Sequence, residues 1–329
     1  VKVTDMLKIK SIAGVTLSVE GSKAAFTVTV IEPDGDTKWE YKYVNQIWLL
    51  NTDGNSAPKQ ITGKEGASQP AFSPDGKQLA FVRVADGKPQ VFTIALDGGE
   101  ALQLTKFKYG AGTPKWSPDG KSILFSSNIT LKELIKDSAL NPLHAIPVWP
   151  FEKPGFASNQ QLQPSAAKAD PDGNLEEVRS YLENNVADKK AKVVNKLVFQ
   201  DETDVSTEVR FNHFFMVTAQ PGAAPLAITK GFYNFNSAEF TPDGKQLVVS
   251  GDVDSLQSAD RSLETEIFLV NTDGTQLRKL LGEEGKTFGS PKISPSGKWL
   301  AFLSGTTSFV NVPALGIMPL TGSANDIIT

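Results

Sequence analysis

A serine hydrolase of the α/β type needs its nucleophile on a Gly-x-Ser-x-Gly turn, with Asp and His later in the chain. This sequence contains no such turn. Its two histidines are His144, in a proline-rich stretch, and His213, inside the apolar run Phe211–Val217; both are read as structural. With no cysteine there is no thiolate nucleophile, disulfide framework or thiolate metal site. Leu281-Gly-Glu-Glu-Gly-Lys-Thr287 looks like half of a phosphate-binding loop, but Leu280 stands where its first glycine belongs. Asp170-Pro-Asp-Gly-Asn-Leu-Glu176 begins like a calcium loop, yet Leu175 replaces the required glycine and Tyr181 the bidentate glutamate. Asp252, Asp254 and Asp260 are read either as a gathering point for a hard cation or as a charged hairpin tip. No catalytic, cofactor or metal residue is therefore assigned. The candidates carried forward are Glu176 and Glu177, adjacent carboxylates suited to holding the ammonium of a peptide amino terminus. The plainer reading of the pair is a solvated helix face.

The elements that must position such residues announce themselves as a repeat. Leu17-Ser-Val-Glu-Gly21, Phe72-Ser-Pro-Asp-Gly76, Trp116-Ser-Pro-Asp-Gly120, Phe240-Thr-Pro-Asp-Gly244 and Ile293-Ser-Pro-Ser-Gly297 share one pattern. Ser or Thr first, Pro second, Asp third and Gly fourth is the chemistry of a type I turn. An apolar residue precedes each turn and a β-rich run follows it, so each copy is a hairpin. The turn glycines are spaced by about 55, 44, 124 and 53 residues, near the length of a propeller blade except once. The short interval reads as a whole unit: a strand ending at Phe72, Gln78–Val84, Pro89–Leu96 and Ala101–Thr105, joined by Asp-Gly turns. A lone meander of this kind cannot bury both faces, so successive sheets must stack around an axis.

The expected fold is all-β, a β-propeller of four-stranded antiparallel blades at approximately 13–71, 72–115, 116–239, 240–292 and 293–329. Residues 130–195 form a partly helical insertion in the third blade. Its first part is proline-rich and expected to be held by Trp149 and Phe151; its second places Leu175, Val178 and Leu182 on one helical face. Strands are expected to resume at Val194–Gln200 and Phe211–Thr218. About five blades are visible, read as part of a seven- or eight-bladed ring.

A formal charge of −4 argues against a general nucleic-acid binder, and no apolar run approaches the roughly 18 residues that span a bilayer. The opening Val1-Lys-Val-Thr-Asp5 is read as following a removed secretory signal, with an internal segment of a longer protein as the rival; the first reading places the protein in the periplasm or outside the cell, with the cytoplasm as the alternative.

These repeats resemble the N-terminal propeller of the prolyl oligopeptidase family of serine peptidases, especially its acylaminoacyl-peptidase-like and dipeptidyl-peptidase-like bacterial members. Ser-Pro-Asp-Gly-Lys before an apolar strand equally suggests the TolB propeller. The entry Thr4-Asp-Met-Leu-Lys-Ile-Lys-Ser-Ile12 and the stretch Ser250–Glu264 look like the peptidase members. The resemblance implies a propeller lid over a C-terminal α/β-hydrolase domain, absent from this chain, that carries Ser, Asp and His. It implies no cofactor and no metal, with that hydrolase domain and peptide substrates as the partners. Separately, unpaired blade faces at the open ends of an incomplete ring would favour association. In the dipeptidyl branch a glutamate pair holds the substrate amino terminus; Glu176 and Glu177 match it without the surrounding motif. The alternative is a stand-alone periplasmic TolB-like propeller that binds a protein partner.

Overall fold

The computed structural model describes residues 2–35, 37, 40–63, 65–148, 165–184, 194, 200, 205–253, 262–308 and 311–328. Five antiparallel sheets follow one another along the chain. The first contains β1 (Ser11–Leu17), β2 (Lys23–Pro33), β3 (Tyr41–Asn51) and β4 (Lys59–Gln60). The second contains β5 (Ser68–Phe72), β6 (Gln78–Ala85), β7 (Lys88–Ala95) and β8 (Leu102–Gln103). In the third, β9 (Gly112–Trp116), β10 (Ser122–Thr130), β11 (Arg210–Thr218) and β12 (Leu226–Ala227) keep the same order. The fourth is β13 (Asn234–Phe240), β14 (Gln246–Asp252), β15 (Glu266–Asn271) and β16 (Arg278–Leu281). The fifth has three strands, β17 (Lys286–Ile293), β18 (Trp299–Thr306) and β19 (Ala314–Pro319), and its fourth place is taken by Ile328, which exchanges two backbone hydrogen bonds with Ile317. Each sheet is a meander, as the turn spacing requires.

The turns explain their own sequence. Ser73 Oγ donates to Asp75 Oδ1 at 2.6 Å and accepts from the Gln78 amide at 2.9 Å, and Gly76 closes the turn onto Ser73 O. The arrangement recurs at Ser117 and Thr241. The Ser or Thr hydroxyl, then the following lysine amide, hold Asp75, Asp119 and Asp243 below the usual carboxylate range.

Sheets pack face to face in chain order, first on second through to fourth on fifth, and among the described elements no contact of similar extent joins the first to the fifth. Between first and second lie Ala25, Ile47, Leu79, Phe81 and Phe92. Between second and third, Phe125 stacks on Phe215 at 5.5 Å and Phe107 closes on Phe215 at 4.6 Å. Burying each such ring is worth about 1.5–3 kcal/mol. The turn ring adds a contact that recurs between blades: Pro74 lies beside Gly120, Pro118 beside Gly244 and Pro242 beside Gly297, each within 3.4–3.7 Å of where a Cβ would stand. Glycine at the fourth turn position thus answers both a positive φ and the proline of the preceding blade.

The hairpin of β10 and β11 is joined by residues 131–209, and its strands stay in unbroken register from Ser122↔Thr218 to Thr130↔Arg210. After β10 comes α1 (Leu131–Lys136), capped by Thr130, with Leu131, Leu134 and Ile135 buried. Then α2 (Leu175–Asn184) begins behind Asn174, whose side chain accepts from the Glu176 and Glu177 amides. The apolar face expected on α2 does not form the buried side: Leu175 and Leu182 are largely exposed, and Ser180 is the residue that is covered. The Trp149 and Phe151 anchors, most of the expected strand at Val194–Gln200, and Asp254 and Asp260 lie outside the described residues.

Candidate functional site

The first strands of neighbouring sheets touch one another, β1 with β5, β5 with β9 and β13 with β17, whereas the two-residue fourth strands contact only their own sheets to any extent. The first strands therefore lie at the axis and the fourth at the rim. Each first strand is bulged, with register breaks between Ala13 and Thr16, Ser68 and Ala71, Gly112 and Trp116's neighbour Lys115, Phe235 and Ser237, and Gly289 and Lys292. Gly14, Gln69, Thr113 and Ser290 sit at these bulges with φ of +47° to +60°. Pro70, Pro114 and Pro291 follow three of them, tolerated because a bulged edge strand has no ladder bond to lose there. The sequence pattern x-Pro-x-apolar-Ser/Thr-Pro thus writes a bulge, then a strand end, then a turn.

The bulges line the axis with hydrogen-bonding groups. Gln69 Oε1 accepts the Thr113 amide of the next sheet at 2.6 Å, the hydroxyls of Thr113 and Ser126 lie 2.6 Å apart, and those of Ser237 and Ser250 also 2.6 Å. One residue before the apolar position that precedes each turn, three successive sheets carry charge. Lys115 donates to Glu239 Oε1 at 3.0 Å and to Ala238 O at 2.7 Å, and Lys292 also pairs with Glu239. Two ammonium groups on one carboxylate leave a local excess of one positive charge and no available base. This arrangement can orient polar backbone; it offers no activated nucleophile.

A second network fastens the start of the insertion to the second and third sheets. The Asp137 carboxylate, almost fully buried, accepts from Tyr109 Oη at 2.5 Å, Lys108 Nζ at 2.7 Å and the amides of Ala139 and Leu140. Burial alone would raise its pKa, but the Lys108 ammonium, the Tyr109 hydroxyl and the two amides outweigh it and hold the carboxyl at about 2. Burial, then Asp137, push the Tyr109 hydroxyl up.

Of the two candidate glutamates, Glu177 Oε2 accepts the Asn174 amide at 2.8 Å and completes the cap of α2. Glu176 is exposed, and its backbone oxygen accepts from Ser165 Oγ. The two carboxylates are thus in different environments. His144 Nδ1 lies 3.2 Å from Ile135 O, beside α1. The loop Leu281–Thr287 is the crossing between the fourth and fifth sheets; Gly285 donates its amide to Glu264 rather than heading a helix. Among the described residues no three His, Asp or Glu side chains gather as a metal site, and no helix is long and apolar enough to cross a membrane.

His213 belongs to a device that recurs in the first three sheets and that the turn motif does not reveal. In the first sheet Thr62 Oγ1 accepts the Ile47 amide at 2.9 Å and donates to Gln46 Oε1 at 2.7 Å. In the second, Thr105 does the same for Val91 and Gln90, and Gln90 Nε2 donates to Phe107 O. In the third, Thr229 accepts the Phe214 amide, its hydroxyl meets His213 Nδ1 at 3.2 Å, and His213 Nε2 lies 3.0 Å from Gly231 O. Imidazole replaces carboxamide with the same acceptor and donor, which assigns the proton to Nε2. Burial pushes this histidine down to about 4. The sequence signal was present: Gln or His before an apolar pair, then Thr fifteen or sixteen residues on.

The TolB β-propeller domain family matches residues 31–138. The Tol-Pal system protein TolB of Albidiferax ferrireducens is 34% identical over 73 residues, a match that spans 22% of this chain and 16% of that protein. A protein designated TolB from Agrobacterium tumefaciens superposes with a TM-score of 0.52 at 15% identity, over 97% of this chain and 80% of its own. The acylaminoacyl peptidase of Pyrococcus horikoshii superposes with a TM-score of 0.55 at 16% identity, over 95% of this chain and 38% of its own. At those identities the two superpositions speak for the fold alone. Residues 31–138 thus match the TolB β-propeller domain, and the fold of the chain is a β-propeller with structural neighbours in both TolB and the acylaminoacyl peptidase.

Proposed function

We propose that this propeller selects substrates for a serine peptidase, as a lid over a hydrolase domain that the 329 residues do not include. The observation that carries the reading is the axis: bulged first strands present hydroxyl and amide groups, with one net positive charge at the Lys115–Glu239–Lys292 cluster. Such a lining suits an extended peptide, whose backbone needs hydrogen-bond partners along its length, and a polypeptide carboxyl end. A narrow ring would admit unfolded peptides and exclude folded proteins, while keeping water from acyl transfer. The insertion that joins β10 to β11, including Glu176 and Glu177, would tune which peptide ends are accepted.

The test uses the polypeptide encoded by the whole gene and the 329-residue chain side by side. The whole polypeptide is expected to carry a Gly-x-Ser-x-Gly turn downstream of Thr329 and to cleave peptidyl chromogenic substrates, and the 329-residue chain to cleave none. Inhibitable turnover by the pure 329-residue chain would refute the reading.

A second reading is favoured by the sequence match over residues 31–138: a TolB-like propeller that binds a protein partner in the periplasm. A stop codon soon after Thr329 would select it.

A further inference from the structure

We propose that Asp97 is a site of spontaneous covalent modification, where the folded chain converts the Asp97–Gly98 linkage to an isoaspartyl bond while the repeat turns are protected from the same reaction. The chain carries nine Asp-Gly pairs, each able in principle to react. In the reaction the Gly98 amide nitrogen attacks Asp97 Cγ, the new C–N bond forms as the carboxyl hydroxyl leaves with the amide proton as water, and a cyclic imide results. Water then reopens the ring. Opening at the former peptide carbonyl routes the backbone through Cβ, so the product has the mass of the reactant and needs no reagent beyond water.

Ring closure requires a carboxyl free to turn toward the next nitrogen and an amide without a partner to give up. The repeat turns deny both. Asp75 Oδ1 accepts from Ser73 Oγ at 2.6 Å and from the Lys77 amide at 3.1 Å, while the Gly76 amide donates to Ser73 O at 2.9 Å. Asp119 and Asp243 are held by the same three bonds. The Ser or Thr hydroxyl, then the lysine amide, also keep these carboxyls below the usual range, which depletes the protonated form whose hydroxyl leaves.

Asp97 belongs to a second set of turns, those between the third and fourth strands of the first, second and fourth sheets. Thr52, Leu96 and Thr272 each donate an amide to the residue after a repeat-turn glycine, so Asp53, Asp97 and Asp273 occupy one position. Asp273 accepts from the Thr275 amide at 2.9 Å and its hydroxyl at 2.6 Å, and the Gly274 amide donates to Asn271 O. Asp53 accepts the Asn55 amide at 3.0 Å. At the corresponding place the second sheet has Gly99, and its backbone leaves the common path: Gly98 and Gly99 take φ of +129° and +113°, against +74° and +78° at Gly54 and Gly274. Among the described residues neither the Asp97 carboxylate nor the Gly98 amide has a hydrogen-bond partner, and both residues are exposed. Two successive glycines add the backbone freedom that ring closure uses. The remaining pairs are tethered. Asp86 lies in a two-residue hairpin closed by Ala85 and Lys88, the Asp34 amide donates to Glu40 O, and the Gly173 amide donates to Asp170 O.

The experiment holds the 329-residue chain at neutral pH for weeks, folded and in guanidinium chloride, and locates isoaspartate by electron-transfer fragmentation of its peptides. Total isoaspartate is counted with an isoaspartyl carboxyl methyltransferase and labelled S-adenosylmethionine. Each hydrogen bond that must break before attack slows it by about tenfold, so the folded chain is expected to react at Asp97 at least about tenfold faster than at Asp75, Asp119, Asp243 or Asp273. In denaturant all nine pairs are expected to react at similar rates. Ser73→Ala removes one tether and is expected to speed reaction at Asp75 by about tenfold while leaving Asp97 unchanged. Circular dichroism checks the fold of that variant, and the wild-type comparison carries the test alone if it does not fold. Equal rates at Asp97 and the repeat turns in the folded chain would overturn the proposal, as would an unmodified Asp97, modification concentrated at Asp86, or a folded Ser73→Ala variant with no gain at Asp75.

Discussion

His213 shows how little of a buried side chain's role can be read from its type. A histidine near a threonine hydroxyl invites a catalytic reading, but both groups are sealed, and glutamine does the same work at Gln46 and Gln90. The consequence is a pH dependence with a definite sign. The folded pKa, about 4, lies below the ordinary 6.5, so the unfolded chain binds the extra proton between those values and stability falls as the pH drops through that window. The full effect is about 3 kcal/mol. Urea midpoints of wild type measured from pH 7 to 4 are expected to decline, and His213→Gln to remove that part of the decline while keeping most of the stability at pH 7. An unchanged slope in the variant would show that other groups carry it. Asp137 behaves in the opposite region: its contribution is present above the ordinary 3.8 and is lost only as the pH falls toward about 2. Asp137→Ala removes the acceptor for two amides, a tyrosine and a lysine, and is expected to cost about 2–4 kcal/mol at pH 7 by thermal or urea unfolding. Tyr109→Phe is expected to cost about 1 kcal/mol.

The turn is the element in which sequence and structure correspond most closely. Ser-Pro-Asp-Gly specifies a local hydrogen-bond pattern among residues at most five apart, so its register, the strands on either side and the four-strand meander were all legible from spacing. What spacing could not convey was the proline of one turn resting against the glycine of the next, because that contact joins copies far apart in sequence. The bulges were hidden for a related reason: Gln69, Thr113 and Ser290 have no glycine to advertise a positive φ. The insertion was least legible, since α2 buries Ser180 and leaves Leu175 and Leu182 exposed against the direction of its apolar periodicity. Glu176 and Glu177 could be placed on a helix from sequence, but the use of Glu177 as a cap depends on the Asn174 amide. The proline–glycine contact is testable as an element in its own right. Gly21→Val and Gly244→Val impose a similar backbone cost, at φ +68° and +69°, but only the second places a side chain against Pro118. In dilute protein Gly244→Val is expected to lose about 1–2 kcal/mol more than Gly21→Val; equal losses would mean that the turns do not bear on one another.

For the molecule as a whole, the chain of sheets behaves as a near one-dimensional array, in which each blade is stabilised by itself and by its immediate neighbours. Among the described residues, the second, third and fourth sheets have both faces covered by adjoining blades, whereas the first and fifth have one each. Local opening should therefore cost least at the two ends and most in the middle. β1 is exposed along nearly its whole length, and the face of β19 that carries Leu315 and Ile317 is partly open, while β6, β10 and β14 are buried through their centres. The covalent order reinforces this gradient in the third sheet, where an unbroken nine-residue register between β10 and β11 holds the ends of the insertion together. Native-state hydrogen exchange at low micromolar concentration is expected to give the slowest amides in β6, β10 and β14, and faster exchange in β1 and β19. Uniform protection across all five sheets in dilute protein would mean that stability is shared globally rather than passed from blade to blade, and the array description would fail.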